Sequence, residues 1–224
     1  AGGPSSFLIW QADPPLSRPG TWAYPDMLEV GRLANATEDR SHFGAWAISS
    51  SPLILGFDMA DNRTMGRVWP IITNREVIQV NQAWAGHPGA EIHSEITYKA
   101  WAKPLGSHPL GSHSAGSHSV GSALAGSHRH QVGSHQVGSA RETGSVASHA
   151  LFILSNSSDP ISVSVPLAHV IPSYSPSGSR VTARDLYAHA DLGAVQGVFV
   201  AQLMPHDSLM VRLDVAAAAQ VDMS

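Results

Sequence analysis

The chain has no cysteine among its 224 residues, which excludes disulfides, thiolate metal sites and cysteine nucleophiles together. Charge is scarce as well: Asp, Glu, Lys and Arg make up 13% of the chain and leave a net charge of −4. No basic block is available to neutralise a phosphate backbone, so nucleic acid is not an expected partner. No apolar run approaches the roughly eighteen residues that a membrane-spanning helix needs, so no membrane partner is expected either. The first residues, "AGGPSSFLIWQ", have neither an initiator Met nor a basic flank before their short apolar run. The chain reads as soluble and as part of a longer one. Nucleotide, flavin and metal motifs are missing too, and no cofactor is implied.

What is present is 43% hydrophobic content, enough to bury a substantial core. Three of the five Asn begin acceptor sequons, at Asn35, Asn62 and Asn156. This leans towards a secretory route, ending outside the cell or in a lysosome or vacuole.

From Asn35 onward the pattern becomes helical. Asn35 and Glu38 have capping-box spacing, and Phe43, Trp46, Ala47 and Ser50 follow at helical intervals, which predicts a helix from about Thr37 to Ser50. Pro52 stops it. "PLILGFD" is a short continuous apolar run of the kind expected in a strand buried on both faces, with Asp58 at its C-terminal end. A capping box from Thr73 to Glu76 then introduces a short helix through "NREVIQVNQAW". Residues 1–90 thus read as helix, buried strand, helix, an α/β signature. Residues 91–215 differ: "ITYKAWAK", "HALFILS", "ISVSVPL", "RVTARDLYA", "GVFVAQL" and "SLMVRLDV" are short, β-branched or aromatic, and parted by turn residues. They predict an antiparallel β-sandwich followed by a tail, 216–224.

Inside that sandwich lies a Gly/Ser/His repeat, expected to be a flexible insertion from about Ser107 to Val146. A metal site is the sharper alternative, because His108, His113, His118, His128, His130 and His135 crowd together. The spacing argues against it, since five residues turn a helix by about 140° and alternate the faces of a strand.

Among the acids, Asp26 follows Pro25 and Asp58 ends the predicted strand. Two carboxylates at strand ends have the form of a glycosidase pair. An Asp after a strand more often caps the next turn or helix, so spacing alone stops there. Phe43 and Trp46 are expected in the helix core, His206 and Asp207 in a turn before the last strand, and Arg184 and Asp185 as a pair on a strand or turn. Of Tyr98, Trp101, Phe152, Tyr174, Tyr187 and Phe199, scattered over separate strands, most are expected in the core.

"WAYPDMLEVG", "EDRSHFGAWAISSSPLILGFDM" and "ITNREVIQVNQ" resemble the last barrel segment of α-galactosidases of glycoside hydrolase family 27. That family shows patterns of the type WNDPDMLEVG, HFxxWAxxxxPLLxGND and LTNxEVIAVNQ. The run "VTARDLYAHADLGAVQGVFVAQLMPHDSLMVRL" is similar to the terminal β-sandwich of its plant-type members. The resemblance covers about Trp22 to Gln82 and Thr97 to Leu213. It implies the C-terminal remnant of a (β/α)8 barrel followed by an antiparallel β-sandwich, and retaining hydrolysis of terminal α-linked galactose by two Asp residues. No catalytic residue is carried over; the nucleophile and the acid/base Asp are expected upstream, and this segment alone is expected to be inactive. The resemblance places Asp26 and Met27 in the substrate pocket, for an α-galactoside. Where the family has Asn-Asp before Pro the chain has Ala23-Tyr24, and where it has Asn before the strand-end Asp the chain has Phe57. The alternatives are a non-catalytic carbohydrate-binding or interaction module, or a truncated pseudoenzyme.

Overall fold

The computed structural model describes residues 15–109 and 145–217. Helix α1 spans Ala36–Ile48. The Asn35 side-chain oxygen accepts the Glu38 N–H at 3.0 Å, and its amide donates to Glu38 Oε1 at 2.9 Å. The cap expected from the spacing is therefore formed.

The strand expected over Pro52–Asp58 is not. Those residues form no ladder, and Ile54 is 61% exposed. A parallel strand needs hydrogen-bonded neighbours, and among the described residues none lies beside it. Asp58 accepts the Ala60 N–H at 2.9 Å and so closes a turn. Helix α2, Asn62–Ile72, was not anticipated, because Gly66 and Pro70 interrupt its pattern. Asp61 starts it by accepting the Arg63 N–H at 3.0 Å and the Thr64 hydroxyl at 2.6 Å. Helix α3, Arg75–Gln82, is capped by Asn74 and not by Thr73, whose hydroxyl donates back to Trp69 O at 2.6 Å and ends α2. Asn74 accepts the N–H groups of Glu76 and Val77, both at 3.1 Å.

The rest is antiparallel sheet. Strands β1 (Ala90–Ser94), β2 (Tyr98–Pro109), β3 (Ser145–Ser155), β4 (Ile161–Pro166), β5 (Ser179–Asp185), β6 (Ala190–Val195), β7 (Val198–Leu203) and β8 (Ser208–Ala217) appear in that order, with a single turn of helix, α4, at Leu167–Val170. Six strands form one sheet in the order β1-β2-β3-β8-β5-β6, and β4 pairs with β7 in a second. The ladder of β2 and β3 reaches Pro109 and Ser145, so Ser107 and Val146, expected inside the flexible insertion, belong to the sheet. His108 lies on β2; the remainder of the repeat, with the other five histidines of the metal-site alternative, lies outside the described residues.

Two cores share the six-stranded sheet. On one face Leu151, Ile153, Val211 and Leu213 meet Val163, Val165 and Phe199 of the small sheet. On the other, Ala150, Phe152 and Met210 meet Phe43, Trp46 and Ala47 of α1 and Val77 and Val80 of α3. The layers are helices, large sheet, small sheet. Phe43 and Trp46 are core residues, as are Tyr98, Trp101, Phe152 and Phe199, while Tyr174 and Tyr187 are half-buried.

Polar contacts register the helices on the sheet. Arg184 does not pair with Asp185; its guanidinium grips Glu76 of α3 at 2.7 and 3.0 Å. Asp185 instead accepts the Tyr187 and Ala188 N–H groups in the turn after β5. Arg40 reaches Asp207, in the turn before β8, and lies 5.1 Å over the Tyr187 ring. Gly44 is where α1 comes nearest the sheet: a Cβ there would collide with the Tyr187 hydroxyl and come within 2.7 Å of the Phe152 ring. Gly44→Ala is expected to destabilise the chain by about 1–3 kcal/mol in chemical denaturation, overpacking outweighing the gain in helix propensity.

Lys103 on β2 is fully buried beneath the end of α3. Its ammonium donates to Val80 O and, at 3.1 Å, to Asn81 O, the negative end of the helix. Burial lowers its pKa to about 7. The unfolded chain therefore binds an extra proton between pH 7 and the ordinary lysine value, and this contribution makes the fold gain stability as pH rises through that window. The penalty is complete below it. Denaturation of wild type and Lys103→Met is expected to diverge with pH, the variant's relative stability falling by about 1.4 kcal/mol per unit between pH 7.5 and 9.5.

Candidate functional site

The loop that carries Asp26 and Met27 starts at a tight turn, Arg18 to Thr21, closed by paired backbone hydrogen bonds of 3.0 and 2.8 Å. Pro19 presets the turn and Gly20 takes φ 88, which a side chain disfavours. Trp22 then meets Trp84, just beyond α3, edge to face at 5.4 Å. Leu28 and Val30 are buried anchors, whereas Asp26 is exposed and Met27 is 56% exposed. The Asp26 carboxylate accepts the Met27 N–H at 2.7 Å.

Facing this loop is the segment Pro52–Gly56. Between them lies a cleft of about 190 Å³ lined by Tyr24, Asp26, Met27, Leu28, Pro52, Ile54, Leu55 and Gly56. Among these residues Asp26 supplies the single carboxylate, and the remaining walls are largely apolar. Such a surface can seat a small polar molecule against a carboxylate acceptor and a thioether wall. A retaining displacement needs two carboxylates about 5 Å apart, so these residues by themselves offer binding and no displacement. An apolar cavity of about 130 Å³ at Trp46, Trp101 and Phe152 lacks converging polar groups. Among the described residues no three His, Asp or Glu side chains gather as a metal site, and no helix is long and apolar enough to cross a membrane.

Three residues that the sequence reading did not single out hold the loop. Asp39, fully buried on α1, accepts the Gly31 N–H at 2.7 Å. Its other oxygen lies 3.1 Å from Arg67 Nε, an ion pair whose angle falls short of a hydrogen bond. Arg67 of α2 also donates to Gly31 O at 3.0 Å. Gly31 has φ 89, and a Cβ there would lie 2.7 Å from the Phe57 ring. One turn along α1, His42 Nε2 accepts the Glu29 N–H at 3.0 Å, and its ring lies 4.1 Å from that of Trp46. Burial lowers the His42 pKa, opposed by a hydrogen bond to the Met27 backbone and by the carboxylates of Glu29, Asp39 and Asp26. The signal was available: stepping back four residues from Phe43 along the buried helix face lands on Asp39.

The other candidates are structural. Ala23 donates its N–H to Ser17 at 3.1 Å, Tyr24 turns outward at the rim of the cleft, and Phe57 packs on Gly31. His206 lies in the turn before β8, where Asp207 accepts the Ser208 N–H at 2.7 Å.

Comparison with known proteins places this geometry. Residues 11–83 match the family model described as alpha galactosidase A, and residues 139–213 match the alpha galactosidase C-terminal beta sandwich domain. The chain is 42% identical over 91 residues to alpha-galactosidase 2 of Arabidopsis thaliana, covering 40% of this chain and 22% of that protein. It is 31% identical over 187 residues to the alpha-galactosidase of Coffea arabica, covering 83% of this chain and 38% of that one. The solved alpha-galactosidase I of Mortierella vinacea shares the fold with a TM-score of 0.62 at 22% identity, over 88% of this chain and 40% of its own. The chain thus spans well under half the length of each of these three proteins. With both domain models matched in order and a barrel remnant leading into the sandwich, the chain belongs to the α-galactosidases of glycoside hydrolase family 27.

Proposed function

We propose that this chain serves an α-galactosidase that releases terminal α-linked galactose with retention, and that the Asp26–Met27 loop is one wall of its sugar pocket. The observation that carries this reading is the open cleft with one exposed carboxylate beside an exposed methionine, on a loop clamped by side chains of α1 and α2. The Asp26 carboxylate accepts hydrogen bonds from sugar hydroxyls, and Met27 lies against the C–H face of the ring. In the reaction one Asp attacks the anomeric carbon while a second protonates the departing oxygen; water then cleaves the glycosyl-enzyme, with the second Asp as base. Both come from barrel segments outside the matched regions.

The purified 224-residue chain is expected to release no nitrophenol from a nitrophenyl α-galactoside. Joined behind the barrel portion of a relative, in place of that relative's matching segment, it is expected to support hydrolysis, with Asp26→Ala lowering kcat/KM at least about tenfold. Release by the chain alone that Asp26→Ala abolishes, or a folded chimera that stays inactive, contradicts the reading. The lone carboxylate in the cleft also suits a non-catalytic sugar-binding module, for which the chain by itself would be retained on immobilised galactose.

We also infer a secretory route. Of the three sequons, Asn62 at the start of α2 and Asn156 just beyond β3 are exposed, whereas the Asn35 amide is committed to Glu38. Expression through a glycosylating secretory host is expected to give a glycan mass that Asn62→Gln and Asn156→Gln together remove; an unglycosylated product counts against the route.

A further inference from the structure

We propose that His42, as a neutral imidazole, is the positioning residue of the loop that carries Asp26 and Met27, and that a second proton on the ring releases that loop. The proposal rests on the sugar-pocket reading only for its functional consequence; the positioning stands on geometry.

A neutral imidazole has one donor and one acceptor. Here Nε2 is the acceptor, taking the Glu29 N–H at 3.0 Å, and the Met27 backbone also faces the ring. One side chain on α1 therefore holds the loop's backbone at Glu29, two residues beyond Met27. Its ring cannot swing away, because Trp46, one turn further along α1, lies against it at 4.1 Å. Protonation converts Nε2 into a second donor, which then faces the Glu29 N–H with like polarity. The bond that defines the loop's path is lost, and a repulsive contact replaces it.

The charged groups that face the ring are Glu29 and Asp26 from the loop and Asp39 from its own helix. All three favour the protonated ring, against the burial that disfavours it. Asp39 is itself engaged by Gly31 and Arg67, and Glu29 lies 3.9 Å from Arg32 in an exposed pair. The expected behaviour is a loop held above the midpoint of His42 and loosened below it.

The test follows the Glu29 and Met27 amides and the His42 ring of the ¹⁵N-labelled 224-residue chain by NMR from pH 8 to 4.5. In wild type the Glu29 amide is expected to move with the same midpoint as the ring, below the ordinary histidine value. His42→Gln supplies an acceptor that does not titrate and is expected to keep both amides near their high-pH positions throughout. His42→Phe preserves the stacking on Trp46 without an acceptor and is expected to displace both amides at every pH. A Glu29 amide that stays fixed while the ring titrates, or one left at its wild-type position by His42→Phe, overturns the proposal. If His42→Phe does not fold, the wild-type titration and His42→Gln still decide it.

Galactose added to chain carrying ¹³C-methyl methionine separates this proposal from the reading beneath it. A Met27 shift whose affinity falls at least threefold from pH 7.5 to 5.5 in wild type, and not in His42→Gln, supports both. A shift with no such dependence overturns the functional role of His42 and leaves the sugar wall. No Met27 shift, with the Glu29 amide still following the ring, overturns the sugar wall and supports the positioning.

Discussion

One buried carboxylate decides where three pieces of chain meet. Asp39 takes the Gly31 N–H on one oxygen and the Arg67 guanidinium on the other, and Arg67 returns to the Gly31 carbonyl. Arg67 is half-buried and Asp39 fully so, and removing Arg67 would leave a carboxylate that has lost both water and its counter-ion. The arrangement also needs Gly31, since its left-handed backbone directs the N–H at Asp39 and Phe57 leaves no room for a side chain. Sequence, backbone and electrostatics agree on one path for the loop, and the cleft exists because of that path.

From that clamp the rest of α1 follows by helical geometry. Asp39 and His42 lie one turn apart and address the loop, while Phe43, Gly44 and Trp46 address the sheet. A helix with two assignments of this kind cannot show a simple apolar stripe, because the face turned to the loop must carry polar groups that hydrogen-bond backbone. Asn81 on α3 plays a similar part, donating to Trp46 O at 3.2 Å and Ser51 O at 2.8 Å and so fixing the exit of α1.

Much of the fold was legible where local rules and packing point the same way. The cap at Asn35 announced α1, and the β-branched runs between turns announced six of the eight strands. β1 and β6 were not seen because they are edge strands with mostly half-exposed or exposed positions, which require little apolar pattern. α2 was hidden by Gly66 and Pro70, and its evidence was the polar cap at Asp61. Thr73 and Asn74 both suit a cap; the choice fell to Asn74 because its amide also donates to Leu186 O at 2.8 Å across the interface. The pairing of Arg184 with Glu76 joins residues far apart in the chain, and no local pattern encodes it. For the site, the pocket role of Asp26 and Met27 came from resemblance, whereas Asp39 lay on a helix face that periodicity had already drawn.

The continuous apolar run offers a narrower lesson. Such a run signals burial on both faces, and Pro52–Asp58 was read in that sense. In the folded chain the run that has this property is Ala150–Ile153 of β3, in an antiparallel sheet, with Leu151 and Ile153 facing the small sheet and Ala150 and Phe152 facing the helices. β3 is therefore a party wall. A change of side-chain volume on one side of it is felt by the neighbour on the other through a strand that has nowhere to shift, so the helical segment and the sandwich are obliged to vary in step. A sandwich parted from those helices would carry an uncovered apolar face into water.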